Sequence, residues 1–194
     1  MANPDILQIG AIAAVVPPPV NSAGVPNVDI TGQKATYSTS ILGLVIAASA
    51  TDIFTLTGSA SKVVKINRIL ISGSATAAAA ADCQLIKRST ADTGGTSTTP
   101  VIAPNDSANA AATAVANAYT VNPAALGTSV GAVRAQKLDL VAVTGAPIPL
   151  LFGFNGAGGQ PIALRGVTQQ LCVNLNGVTY AGGLIDVDIE WTEE

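Results

Sequence analysis

From residue 35 onward, apolar and polar positions alternate in short runs separated by turn residues, the period-two signature of β-strands. Residues 37–46 make the first such run. Residues 51–57 (TDIFTLT) set Ile53, Thr55 and Thr57 against Asp52, Phe54 and Leu56. Residues 63–72 (VVKINRILIS) place Val64 and Ile66, with Arg68 as a candidate third member, on one face and Lys65, Asn67 and Ile69 on the other. Residues 75–89 carry Cys83, Leu85 and Lys87 against Gln84, Ile86 and Arg88. A long alternating run follows at 132–144, with Val133, Ala135, Lys137, Asp139 and Val141 on one face. Residues 149–155, 161–165, 169–175 and 184–191 complete the set. The last is the clearest: Ile185, Val187, Ile189 and Trp191 point to a core while Asp186, Asp188 and Glu190 point away. Asn176-Gly177 between two such runs predicts a hairpin turn.

Two alanine-rich tracts interrupt the pattern. Residues 77–81 are five alanines, helical by propensity. The run covers only about one and a half turns and lacks an apolar stripe, so it reads as strand. Residues 106–118 (DSANAAATAVANA) predict a short helix capped by Asp106 or Ser107. They lie in a long loop near 90–130, poor in core material and expected to be an interaction loop. The pattern therefore predicts an all-β chain, an eight- or nine-stranded antiparallel β-sandwich over residues 35–194, with the jelly roll as the commonest eight-stranded version.

Residues 1–34 break from this rhythm. Pro4, Pro17, Pro18, Pro19 and Pro26 punctuate them, and three consecutive prolines favour an extended polyproline path that cannot enter a sheet interior. They are expected to form an extended N-terminal arm. Its apolar start (Ile6, Leu7, Ile9, Ile12, Val15, Val16) favours an arm laid along a neighbour over one trailing in solvent; packing on its own domain is the alternative. The apolar run 6–16 is too short to span a bilayer, which takes about 20 residues. No Lys or Arg precedes it, so it does not read as a signal peptide. The expected site of synthesis is a cytoplasm.

Composition supports strands. The 194 residues include 19 Val and 16 Ile against 15 Leu, a β-branched excess. Histidine is absent, which removes His-dependent nucleophilic sites, His general bases and His-ligated metals. Nine Lys and Arg against 12 Asp and Glu give a net charge of -3, unlike a nucleic-acid binder, which needs clustered cations. Charged residues make up 11%, low enough to suggest a surface largely occupied by partners.

The reactive-looking motifs are weak. Asp92-Thr93-Gly94 has the letters of an aspartic-protease triplet, but that chemistry needs a second carboxylate sharing its proton, and no second triplet exists; a surface turn is the expectation. The glycines of GFNGAGGQ (Gly153, Gly156, Gly158, Gly159) lack the sequence of a phosphate-binding loop. Asp186, Asp188 and Glu190, spaced about 6.5–7 Å along one strand face, are too far apart to enclose calcium without loop ligands; Glu193 and Glu194 extend the same acidic end. Asn105-Asp106-Ser107 is a glycosylation sequon by letters only. Cys83 and Cys172 read as two buried free thiols, with a disulfide as the alternative. No catalytic, cofactor-binding or metal residue is expected.

Residues 106–138 (DSANAAATAVANAYTVNPAALGTSVGAVRAQKL) and 159–194 (GQPIALRGVTQQLCVNLNGVTYAGGLIDVDIEWTEE) resemble a group of small structural proteins encoded with the head genes of tailed bacteriophages. The likeness is strongest over 117–134 and 159–194. It implies a jelly-roll-like module on the outside of an icosahedral capsid, a cement or decoration protein whose partners are the major capsid protein and its own copies, as a trimer in preference to a dimer. It carries over no catalytic motif and implies a place on the capsid surface of the virion; no nucleic acid, membrane or cofactor is expected, the first two from the charge and the short apolar runs. A neck, tail or fibre-base component and a host-glycan-binding virion module are the competing readings.

Overall fold

The computed structural model describes residues 34–154 and 160–194, and the compact unit spans Lys34–Glu194. The expected arm, but for Lys34, and Gly156, Gly158 and Gly159 lie outside the described residues. Twelve strands form among them: β1 (Ala35–Val45), β2 (Ala50–Thr57), β3 (Val63–Ala75), β4 (Ala79–Arg88), β5 (Thr96–Thr98), β6 (Ile102–Pro104), β7 (Val115–Val121), β8 (Ser129–Ala142), β9 (Leu150–Gly153), β10 (Ile162–Arg165), β11 (Gln170–Val178) and β12 (Leu184–Glu193). The described residues contain no helix. The all-β expectation holds, and the strand count rises because β5, β6 and β7 form inside the stretch read as loop.

The strands follow the order β5-β7-β2-β11-β4-β8-β3-β12-β1-β6, with β9 and β10 both added to β3. All pairings are antiparallel except one. β8 meets β3 in parallel through only Ser74↔Val141 and Ala75↔Ala142. That short contact joins two halves of a mixed sheet that curls on itself, so both inner faces feed one core. Phe54, Leu56, Leu85 and Val173 enter it from the first half, and Ile66, Ile71, Ile189 and Trp191 from the second. Trp191 and Tyr37 stack at 6.1 Å between ring centroids. Each polar tip is satisfied: the Tyr37 hydroxyl donates to Ala110 O at 2.8 Å and Trp191 Nε1 to Glu193 Oε1 at 3.2 Å.

β12 matches its pattern, with Ile185, Val187, Ile189 and Trp191 all buried. β3 departs from it. Trp191 pairs with Ile66 while Glu190 pairs with Arg68, so Asn67 is an extra residue and the alternation changes phase there. Arg68 therefore leaves the Val64–Ile66 face, and Ile69 and Ile71 take the core positions.

The helix expected over 106–118 does not form. Asp106 uses its capping oxygen on a turn instead, accepting the Ala108 N–H at 2.9 Å. The following alanines serve as strand residues: Ala116 and Ala118 are buried opposite Leu56 and Phe54. The Glu193 carboxylate fixes the approach by accepting the N–H groups of Thr113 and Ala114 at 3.0 and 2.9 Å. Asn176-Gly177 is not a hairpin turn either. Both residues have positive φ (60° and 72°) inside β11, where pairing with β2 jumps from Asn174↔Asp52 to Val178↔Ala50. The same backbone preference that suits a tight turn here makes a bulge.

Candidate interaction surface and a buried acid pair

β2 and β11 are buried on both faces. Phe54, Leu56, Leu171 and Val173 point to the core, while Thr55, Gln170, Cys172 and Asn174 point outward and are also buried. Two crossing segments, residues 89–95 and 122–128, are fastened to this outer face. Ser89 N donates to Thr128 O at 2.9 Å, Thr93 and Ala125 exchange both backbone hydrogen bonds, and Asp92 N donates to Gln170 Oε1 at 2.8 Å. Asn122 anchors the second segment, its Oδ1 accepting the Thr51 N–H and its Nδ2 donating to Ala48 and Ser49 O. Gly127 passes so close that a Cβ there would lie 1.9 Å from Thr90 O.

Beneath these segments Asp52 and Asp92 come together around Arg88. Arg88 Nε lies 2.6 Å from Asp52 Oδ2 and 3.3 Å from Asp92 Oδ1, and Nη1 donates to Gly127 O at 2.7 Å. Asn174 Nδ2 donates to the other Asp52 oxygen at 2.5 Å, and Gly127 N–H to Asp92 Oδ1 at 2.8 Å. Asp92 Oδ2 is buried without a hydrogen-bond partner. Two carboxylates with one guanidinium leave a negative surplus, and the site divides it unequally. Burial pushes Asp52 up, but hydrogen bonds from Arg88 and Asn174 outweigh it and hold the carboxyl below its ordinary value. Burial first, then the neighbouring Asp52, push Asp92 up to about 6.

The triplet at Asp92 thus has the second carboxylate that its sequence context lacked, supplied by β2. Asp52 sits among strand-forming residues, and its one visible signal was a charge in a run otherwise buried on both faces. The pair does not present itself to a substrate: Asp52 has no solvent contact and Asp92 is 8% exposed. Cys172 Sγ also lies within 4.8 Å of carboxylate oxygens of both acids. The set does not suit a cation, because the guanidinium already holds the positive position and burial keeps the Cys172 thiol protonated. The arrangement is a polar clasp for the crossing segments.

The other candidate residues are separate. Cys83 is buried in the core, where desolvation raises its thiol to about 12. Cys172 pairs with Ile86 in the β4–β11 register, so Cys83, three residues away, faces the opposite side of the sheet. Both thiols are free. The β12 acids serve as struts: Asp186 accepts the Gly43 N–H at 2.7 Å and the Ser72 hydroxyl at 3.0 Å, and Arg68 lies between Asp188 and Glu190 at 3.3 and 3.7 Å. Glu194 pairs with Lys34 and Lys65. Asn105 Oδ1 accepts from the Ser38 hydroxyl at 3.2 Å.

What the surface offers is strand edges and apolar side chains. Across Ser129–Leu140, β8 pairs with β4 on one side and has no strand partner on the other among the described residues. β6 covers only Tyr37–Thr39 of β1, and residues 40–45 have no strand partner on that edge among the described residues. Leu42 and Val101 stand 81% and 87% exposed beside that edge. Val130, Val143, Ile148 and Leu151 are more than half exposed around the β8–β9 side. Open edges with apolar flanks are templates for pairing with another chain. The chain was compared with known protein families, curated proteins and solved structures, and no match was found.

Proposed function

We propose that this chain is a structural virion protein, a cement protein that binds the outer surface of a tailed-phage head and bridges its capsid subunits, and that it is not an enzyme. The observation that carries the reading is the placement of adhesive features. Open, apolar strand edges lie on both flanks of the β3–β12–β1 ladder, while the acid pair that resembles chemistry is buried and spent on holding loops. A module with two such flanks can contact two neighbours at once. Repetition around an oligomer then multiplies modest contacts through effective concentration. In this reading the curled sheet is a jelly-roll-like sandwich carrying an N-terminal arm. It works as a homo-oligomer, a trimer matching the threefold and quasi-threefold positions of a capsid.

The sparse charge suits close packing against a repeated lattice, where each buried unpaired ion costs several kcal/mol, on the order of the contacts themselves. The test is a pair of particle preparations with and without the gene. The reading predicts added density over the whole head surface in the first and lower resistance to heat or osmotic shock in the second. Unchanged surface and unchanged resistance would refute it. Copies confined to one vertex would instead favour the neck or tail component.

A further inference from the structure

β8 leaves the ladder of β3 after Ser74–Ala75, and along the rest of that flank β3 is bordered by β9 and β10. Neither β9 nor β10 pairs with anything but β3 among the described residues. Two unpaired edges, β8 on one side and β9–β10 on the other, therefore border an open seam in the curled sheet. A groove of about 460 Å³ runs along it, with Val133, Phe154 and Ile162 in its wall. Lys87, Arg134 and Arg165 also line it, three of the chain's nine basic residues, and no acid does among the described residues. Two of these cations already span the seam. Lys87 reaches from β4 to donate to Ala163 O at 2.7 Å, and Arg134 lies over the Phe154 ring at 5.4 Å.

We propose that this seam is a strand-receiving groove and that its occupant is the N-terminal apolar segment, residues 5–16, of a second copy of the chain. An added strand pairs its backbone with an open edge and seats alternate side chains in the groove, which needs an extended, apolar, uncrowded sequence. Residues 6–16 (ILQIGAIAAVV) are of that kind and about as long as the β8 edge. Charge selects the same occupant. Residues 1–33 contain Asp5 and Asp29 and no Lys or Arg, so the segment brings a carboxylate to a groove whose charged side chains, among the described residues, are all cations. Pairing two β8 edges about a twofold axis at Arg134, or at Lys137, would set that cation against its own copy, which repels. Residues 17–33 span at most about 60 Å when extended. That exceeds the width of a compact domain of this size, about 40 Å from its expected radius of gyration, so the segment can reach a neighbour.

The test uses full-length protein without particles, so its outcome is independent of capsid binding. One preparation carries Ile12→Cys and a tag, another carries Val133→Cys, and the two are mixed, equilibrated and treated with a short bismaleimide. The buried Cys83 and Cys172 make the unsubstituted chain the blank. The proposal predicts a covalent heterodimer, at least fivefold above a mixture in which Val178→Cys replaces Val133→Cys. It also predicts at least a threefold loss of that product when Asp5→Lys is added to the first chain. A product no greater than with Val178→Cys would overturn it, and so would a yield indifferent to Asp5→Lys. Linkage predominantly within single chains of an Ile12→Cys/Val133→Cys double variant would overturn it as well.

Discussion

Replacing Asp92 by Asn should stabilise the protein at neutral pH, although it removes a buried group that holds the crossing segments. The native carboxyl has its pKa raised from 3.8 to about 6. Its charged form is therefore penalised by folding, by about 3 kcal/mol from the two-unit displacement at about 1.4 kcal/mol per unit. Between pH 6 and 4 the folded state binds a proton that the unfolded chain does not, so stability rises as pH falls through this window. The amide is neutral throughout. Its Oδ1 can still accept the Gly127 N–H, and its Nδ2 takes the place of the unpartnered Oδ2. The variant should gain up to about 3 kcal/mol at pH 8, a rise in Tm of about 5–10 °C for a chain of this length. Near pH 4.5 its advantage should shrink to about 1 kcal/mol, because the unfolded carboxyl is still mostly ionised there, and it should lack the acid-side gain. Urea unfolding of both proteins at pH 4.5, 6 and 8, followed by tryptophan fluorescence from the buried Trp191, measures this. Groups whose carboxyls are lowered, such as Glu193 and Asp82, keep their full contribution above pH 4.5 and lose it only below. An Asp92→Asn variant less stable than wild type at pH 8, or a wild type equally stable at pH 5 and 8, would refute this reasoning.

Arg88→Met removes the guanidinium from two buried carboxylates and should cost about 3–5 kcal/mol at pH 8, and less at pH 5, where Asp92 is protonated; denaturant midpoints at both values check it. Gly127→Ala drives a Cβ to 1.9 Å from Thr90 O, so the crossing segments must separate, which faster amide exchange at Asp92 and Thr128 would reveal. Glu193→Gln keeps the shape but weakens the acceptor for Thr113, Ala114 and Trp191, and the urea midpoint should fall by the equivalent of about 1–3 kcal/mol. In a disulfide-exchange assay both cysteines should react only as fast as the protein unfolds, and oxidation should not join them, because they face opposite sides of one sheet.

The strands were legible where burial is one-sided. β12 alternates cleanly because its outer face carries acids that bind Arg68, Ser72 and a backbone N–H, so pattern and packing agree. Pattern reading failed where a single residue changes phase. Asn67 is an ordinary strand residue by letter, and only its place opposite the Glu190–Trp191 step makes it a bulge. The tract 106–118 misled because alanine favours helices in isolation, whereas Ala116 and Ala118 are buried here in a strand opposite Leu56 and Phe54. The acid clasp was half visible. Asp92 carried a recognisable triplet, but its partner lies far earlier in the chain on a strand, and proximity across a sheet leaves no local trace. The open β8 edge left none either, since the run from Val133 to Lys137 alternates like any paired strand; only the brevity of the β3 contact exposes it.

If the chain acts as proposed, bound between the subunits of a phage head, a cryo-electron reconstruction of intact heads from a phage whose genome carries its gene tests this most directly. The expected result is ordered copies at every equivalent site on the outer shell, each touching at least two capsid subunits through the β1 or β8 flank. Heads with no such density, alongside a purified monomer that engages no assembly, would contradict it.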